Sequence, residues 1–91
     1  MQQTTLTLIN PLGMHARAAS KLVDVAKAYA SDIQITFEGR TVDAKSIMSL
    51  LMLGAAVGSE LTVTVDGEDE ESAITAVKAL IDAGFHELDD H

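Results

Sequence analysis

"NPLGMHARAASKLVDVAKAYA", residues 10–30, decides the fold. Its opening "NPLG" carries a proline and a glycine, which interrupt regular structure and mark a turn. From Ala16 to about Ala28 the pattern changes. Ala19, Leu22, Val23, Ala26 and Ala30 recur at helical spacing, and Asp24 and Lys27 fall away from them. The spacing predicts an amphipathic helix, with His15 and Arg17 at its mouth.

The flanks give the other elements. Upstream, "TTLTLIN" alternates polar and apolar residues as a half-buried strand does, with Leu6 and Leu8 on one side. Downstream, "DIQITFEG" alternates again, with Ile33, Ile35 and Phe37 inward. "EGR" makes a tight hairpin turn into a short return strand, "TVDA". "KSIMSLLML" reads as a short helix with Ser46 as its N-cap and Gly54 as its stop. "SELTVTVDG" is a strand that points Leu61, Val63 and Val65 inward. "EDEESAITAVKALIDAGF" is a last helix. Its first-turn acids suit the helix dipole, its core face is Ala73, Ile74, Val77, Leu80 and Ile81, and Gly84 closes it. The polar tail "HELDDH" is expected to fray. The order β-α-β-β-α-β-α predicts the α+β class: a four-stranded antiparallel sheet with three helices on one face, an open-faced sandwich.

Composition narrows the class of molecule. A chain of 91 residues fits one domain, residues 1–91. Aromatics make up only 3%, so Leu, Ile, Val, Ala and Met must fill the core. There is no cysteine, which excludes disulfides and thiolate metal or redox sites and suits a reducing compartment. A net charge of −8 argues against nucleic acid, whose phosphates need a basic footprint. The charge is uneven, +1 up to Ser59 and −9 from Glu60 onward, so the functional end is expected to be locally positive. "MQQTTLTLIN" has no signal-peptide pattern, and "IMSLLMLGAAV" is too short to cross a bilayer. A cytoplasmic monomer without membrane insertion is expected.

His15 carries the chemistry. At a helix start the first-turn backbone N–H groups lack partners within the helix and point outward with the positive end of the dipole. Arg17 adds a forked donor suited to phosphate oxygens. That positive environment disfavours a protonated ring, which leaves His15 as a neutral nucleophile with one free lone pair. "GMHAR" thus reads as a phosphoryl-accepting site, although a histidine here also serves commonly as a plain cap. A metal site is disfavoured, because His15, His86 and His91 lack ligand spacing and no carboxylate lies near His15 in sequence.

"LGMHARAASKLV" and "DAKSIMSLLMLGA" together closely resemble the phosphocarrier HPr family of the bacterial phosphotransferase system, over essentially the whole chain. The "LLML" helix and the "DAGFHELDD" tail are more similar to the nitrogen-type branch, often called NPr, than to the sugar-transport branch. The resemblance implies that His15 accepts a phosphoryl group on Nδ1 from a phosphorylated enzyme I type protein, with help from Arg17. It implies transfer to a histidine of an enzyme IIA type protein, with no cofactor, no metal and no turnover by the carrier alone. One residue departs from the family: Ala18 stands where proline is usual, which keeps the helix, adds an N–H donor and makes the first turn slightly less rigid.

The second helix is apolar nearly all round. Leu50 and Leu53, with Ile47 near the edge, can serve the core, which leaves Met48, Leu51 and Met52 for a partner. In the family this helix flanks the active histidine and contacts both partners, and the carry-over falls on Ile47, Met48, Leu51 and Met52 beside Arg17 and Lys21. Acidic partner faces would suit Lys45 and Lys21. The family also implies phosphorylation of Ser46 by an HPr kinase/phosphorylase. An alternative of a different class is a regulatory binding module switched at Ser46, with His15 incidental. A small acyl- or phosphate-hydrolysing enzyme would need a water-activating group, and "NPLGMHAR" supplies none.

Overall fold

Glu60–Asp66, a strand of strict two-residue alternation, organises the sheet. The computed structural model describes residues 1–89. Its elements are β1 (Gln2–Thr7), α1 (Ala16–Lys27), β2 (Asp32–Phe37), β3 (Arg40–Asp43), α2 (Ile47–Met52), β4 (Glu60–Asp66) and α3 (Glu70–Asp82). A short 3-10 segment, Gly84–Asp89, follows. The strand order is β1-β4-β2-β3, and every pairing is antiparallel. The predicted class and element order are those observed.

Register explains the two faces. Leu6 stands opposite Leu61, Val63 opposite Ile35, and Val65 opposite Ile33. All six are buried under the helices. The intervening positions carry Thr5, Thr36, Thr62 and Thr64, and a hydroxyl bond of 2.8 Å joins Thr36 to Thr41. A one-residue slip would exchange these faces, so the alternation fixes the pairing. Each fully buried aliphatic side chain contributes about 1.5–3 kcal/mol. Phe37 is only half-buried, since it lies at the hairpin end of β2 where the turn leaves one side open.

Helix α1 buries Ala18, Ala19, Leu22, Val23 and Ala26. Ala30, expected on this stripe, lies beyond the helix end and is exposed. Ala18 is wholly buried, so its methyl group packs in the core. Helix α2 buries Leu50, is capped by Ser46 Oγ accepting from Ser49 N–H at 3.3 Å, and ends before Gly54 at φ +65. Two bonds orient α2 against α1. Met14 N–H donates to Ala55 C=O at 2.9 Å, and Lys45 Nζ donates to Tyr29 C=O at 3.0 Å. The start of α1 therefore meets the end of α2, and the two helices run antiparallel.

Gly13 makes this junction possible. It takes φ +64, and a Cβ there would lie 2.6 Å from the Ala55 carbonyl oxygen and 2.8 Å from Ala56 Cα. A second tie sits at the opposite end of α1. Asp69, the N-cap of α3, does not cap its own helix. Its carboxylate instead accepts from Ala30 N–H at 2.8 Å, Ser31 N–H at 3.0 Å and the Ser31 hydroxyl. These bonds, the Ser31 hydroxyl first and the Ala30 N–H next, hold the Asp69 carboxyl below its ordinary range.

Two outcomes follow. Gly13→Ala should destabilise the protein by about 1–3 kcal/mol, from left-handed strain and overpacking, read as a lower urea midpoint. Asp69 has a lowered folded-state pKa, so its stabilisation is present above the ordinary carboxylate value and disappears as pH falls through the folded value. The gap in thermal midpoint between the wild type and Asp69→Ala should be full at neutral pH and close on acidification. A gap independent of pH would exclude the carboxylate as its source.

Candidate functional site

His15 has the backbone of an N-cap, φ −87° and ψ 178°, and its carbonyl accepts the first helical bond from Ala19 N–H at 2.8 Å. Its side chain makes no capping bond. The first-turn N–H groups are thus left without intrahelical partners, and no acid in that turn offsets the dipole. Arg17 stands exposed in the same turn. The imidazole is 27% exposed, at the surface yet held.

What holds it is Glu87, from the other end of the chain. His15 Nε2 lies 2.7 Å from Glu87 Oε1, and Asn10 Nδ2 donates to the same oxygen at 2.6 Å. Asn10 also donates to Gly13 C=O at 2.6 Å. The Glu87 carboxyl is held below its ordinary range, first by Asn10 and then by His15 and the Leu12 N–H, against an opposing effect of burial. The site therefore combines an electropositive helix start with an ionised carboxylate. Sequence distance hid this pair, which is 72 residues apart.

The expected frayed tail is corrected here: up to Glu87 it folds back as a hook. Phe85 is fully buried, and Lys21 Nζ donates to its carbonyl at 2.6 Å. Gly84, Phe85 and His86 take left-handed φ of 63°, 56° and 57°. The available signal was "GF": a helix-stopping glycine followed by a large aromatic residue that a free tail would not need. Residues 90 and 91 of the tail, and with them His91, lie outside the described residues.

The other predicted residues divide. Met48 and Met52 are each 69% exposed, and Ile47 is partly so. Leu51 is half-buried and packs against the core, which reduces the surface it offers. Because α1 and α2 are antiparallel, the Met52 end of α2 lies on the His15 side. Lys45 reaches the Tyr29 carbonyl just past the end of α1, so about 18 Å, the length of that helix, separates its charge from His15. Lys21 is bonded into the hook rather than projecting as an open docking cation. Leu12, 68% exposed, together with Ile9 and Val57, adds apolar surface on the loops meeting at the start of α1. Arg40 Nη1 donates to Met52 C=O at 3.0 Å and places a cation at the end of α2. These four were not read from sequence, because contact between loops brings Leu12, Ile9 and Val57 near α1 and α2, and a bond from β3 brings Arg40. No helix among the described residues is long and apolar enough to cross a membrane.

Comparison with known proteins agrees with this architecture. The family model "PTS HPr component phosphorylation site" matches residues 2–83. The phosphocarrier protein HPr of Cupriavidus necator is 47% identical over 87 residues, which cover 96% of this chain and 98% of that one. The crystal structure of HPr from Thermoanaerobacter tengcongensis superposes with a TM-score of 0.92 at 37% identity, over 96% of this chain and 98% of that one. An HPr dimer from the same organism matches with a TM-score of 0.75 at 36% identity, over 93% and 98%. Likeness over nearly the full length, in sequence and in fold alike, means that this chain belongs to the HPr family, the phosphocarrier proteins of the phosphotransferase system.

Proposed function

We propose that this chain takes a phosphoryl group on His15 from a phosphorylated enzyme I type protein and passes it to a histidine of an enzyme IIA type protein. One observation carries the reading: a partly exposed imidazole at an N-cap whose side chain makes no capping bond and stands at the positive end of the α1 dipole. In the loading step the donor's N–P bond breaks, its electron pair returns to the donor nitrogen, and His15 Nδ1 forms the new N–P bond. First-turn N–H groups and the Arg17 guanidinium then face the phosphoryl oxygens. The chain turns over no substrate alone and needs no cofactor or metal for this exchange. On this reading the acceptor side, His15 with Arg17, comes from one chain, in keeping with a monomeric working unit; a single domain over residues 1–91 and a place in the cytoplasm belong to the same reading.

Ile47, Met48, Leu51 and Met52 form the proposed docking face, with Arg17 and Lys21 beside it and Lys45 at its far margin. Exposed methionines adapt to differently shaped partners. The identity of the acceptor decides whether the output is sugar uptake or nitrogen regulation. A second, regulatory use is supported by Ser46, whose half-exposed hydroxyl caps α2. Phosphorylation there by an HPr kinase/phosphorylase would be favoured by the dipole of α2 and would place negative charge at the edge of the docking face.

Incubation with enzyme I and phosphoenolpyruvate should add one acid-labile phosphate to the wild type and none to His15→Ala. Arg17→Ala should load on the order of a hundredfold more slowly. Met48→Glu and Met52→Glu should each weaken enzyme I binding about tenfold while leaving the fold intact. Full labelling of His15→Ala would remove the histidine from its role.

A further inference from the structure

We propose that Asn10 and Glu87 act as a positioning pair that decides which nitrogen of His15 reacts: Glu87 holds Nε2–H, and Nδ1 is left as the nucleophile. The proposal rests on the carrier reading above and names the residues that prepare its acceptor.

The geometry supplies the logic. Glu87 Oε1 lies 2.7 Å from Nε2, a full hydrogen-bond approach. An ionised carboxylate has no proton to give, so the shared proton belongs to the ring. A neutral imidazole carries only one N–H, so Nδ1 holds the lone pair. Among the described residues no hydrogen bond engages Nδ1. Asn10 fixes Glu87 in turn. It is 2% exposed, and both amide hydrogens are committed, one to Gly13 C=O and one to Glu87 Oε1. Its Oδ1 is buried with no partner among the described residues. A buried acceptor left unbonded is costly, so the position uses the residue for its two donors. The hook is shaped to the same end. Three successive left-handed residues, two of them not glycine, bend the chain after α3 and bring Glu87 to the ring. Backbone strain of this kind persists where the surrounding contacts enforce it, here the buried Phe85 and the Lys21 bond.

The pair also meets the charge that loading creates. When Nδ1 donates its lone pair to phosphorus and the donor's N–P bond breaks, the ring carries phosphorus on Nδ1 and hydrogen on Nε2. It is then cationic, with the charge shared between both nitrogens. The Glu87 carboxylate faces that charge across the Nε2–H bond without removing the proton. Transfer onward reverses the electron flow, and the same bond returns to a neutral ring. A carboxylate that orients an imidazole and stabilises its cationic form is a recurrent catalytic arrangement.

Nitrogen-15 NMR of the unphosphorylated protein reads the protonation of each ring nitrogen directly. The neutral wild-type ring should be the Nε2–H tautomer. Glu87→Ala and Asn10→Ala should each give a mixture with Nδ1–H and load from phosphorylated enzyme I about tenfold more slowly, the scale usual for lost outer-shell partners. Glu87→Gln keeps an acceptor oxygen and loses the charge. It should retain the tautomer and still load more slowly than wild type. Native-like amide spectra identify the folded variants, and if Asn10→Ala fails to fold, the two Glu87 variants decide. Wild-type tautomer ratios in those variants, or a shifted ratio with an unchanged loading rate, would overturn the pair. A wild-type protein that accepts no phosphate would instead overturn the carrier reading, and the tautomer measurement would still decide the pair on the unloaded protein.

Discussion

The structure depends on one backbone hydrogen bond at a crowded place, from Met14 N–H to Ala55 C=O. It brings the turn before α1 against the turn after α2, and Gly13 lies flush on that second turn because no Cβ stands between them. Two neighbouring bonds, Leu8 N–H to Ser59 C=O and Gly58 N–H to Leu8 C=O, extend the seam. From this junction follow the antiparallel helices, the exposure of the α1 start, and the placement of the methionine-bearing helix on the same side as the histidine.

The electrostatics of the site balance opposite influences. The α1 start presents the positive end of the helix dipole and Arg17, which favour an anion. Glu87 introduces a negative charge at Nε2 of the ring, 2.7 Å away. The helix start and the carboxylate meet at one residue, His15, although they come from opposite ends of the chain.

The apolar surface around the site comes from several segments. Met48 and Met52 belong to α2, Leu12 to the loop before α1, and Val57 to the loop after α2. Contact between the loops gathers the pieces. Arg40, bonded to the last turn of α2, adds positive charge to this surface, whereas Lys45 contributes at the opposite end of α1.

Most of the fold was legible because period and punctuation are local properties. Alternation in "ELTVTVD" and the helical spacing of Ala19, Leu22, Val23 and Ala26 each need only a few neighbouring residues to be read. His15 and Arg17 were legible for the same reason, since a helix start is a local feature. Ala30 was misplaced because helical spacing does not show where a helix ends; the bonds from Asp69 to the backbone after α1 mark that. By itself, the sequence determined the elements, the buried stripes and the histidine at the helix mouth. Tertiary structure alone decided that His15 and Asn10 share the Glu87 carboxylate, that Lys21 holds the hook, and that Lys45 lies far from the site. Hydrogen bonds depend on distance in space, and a separation of 72 residues along the chain becomes 2.7 Å only after the core has closed.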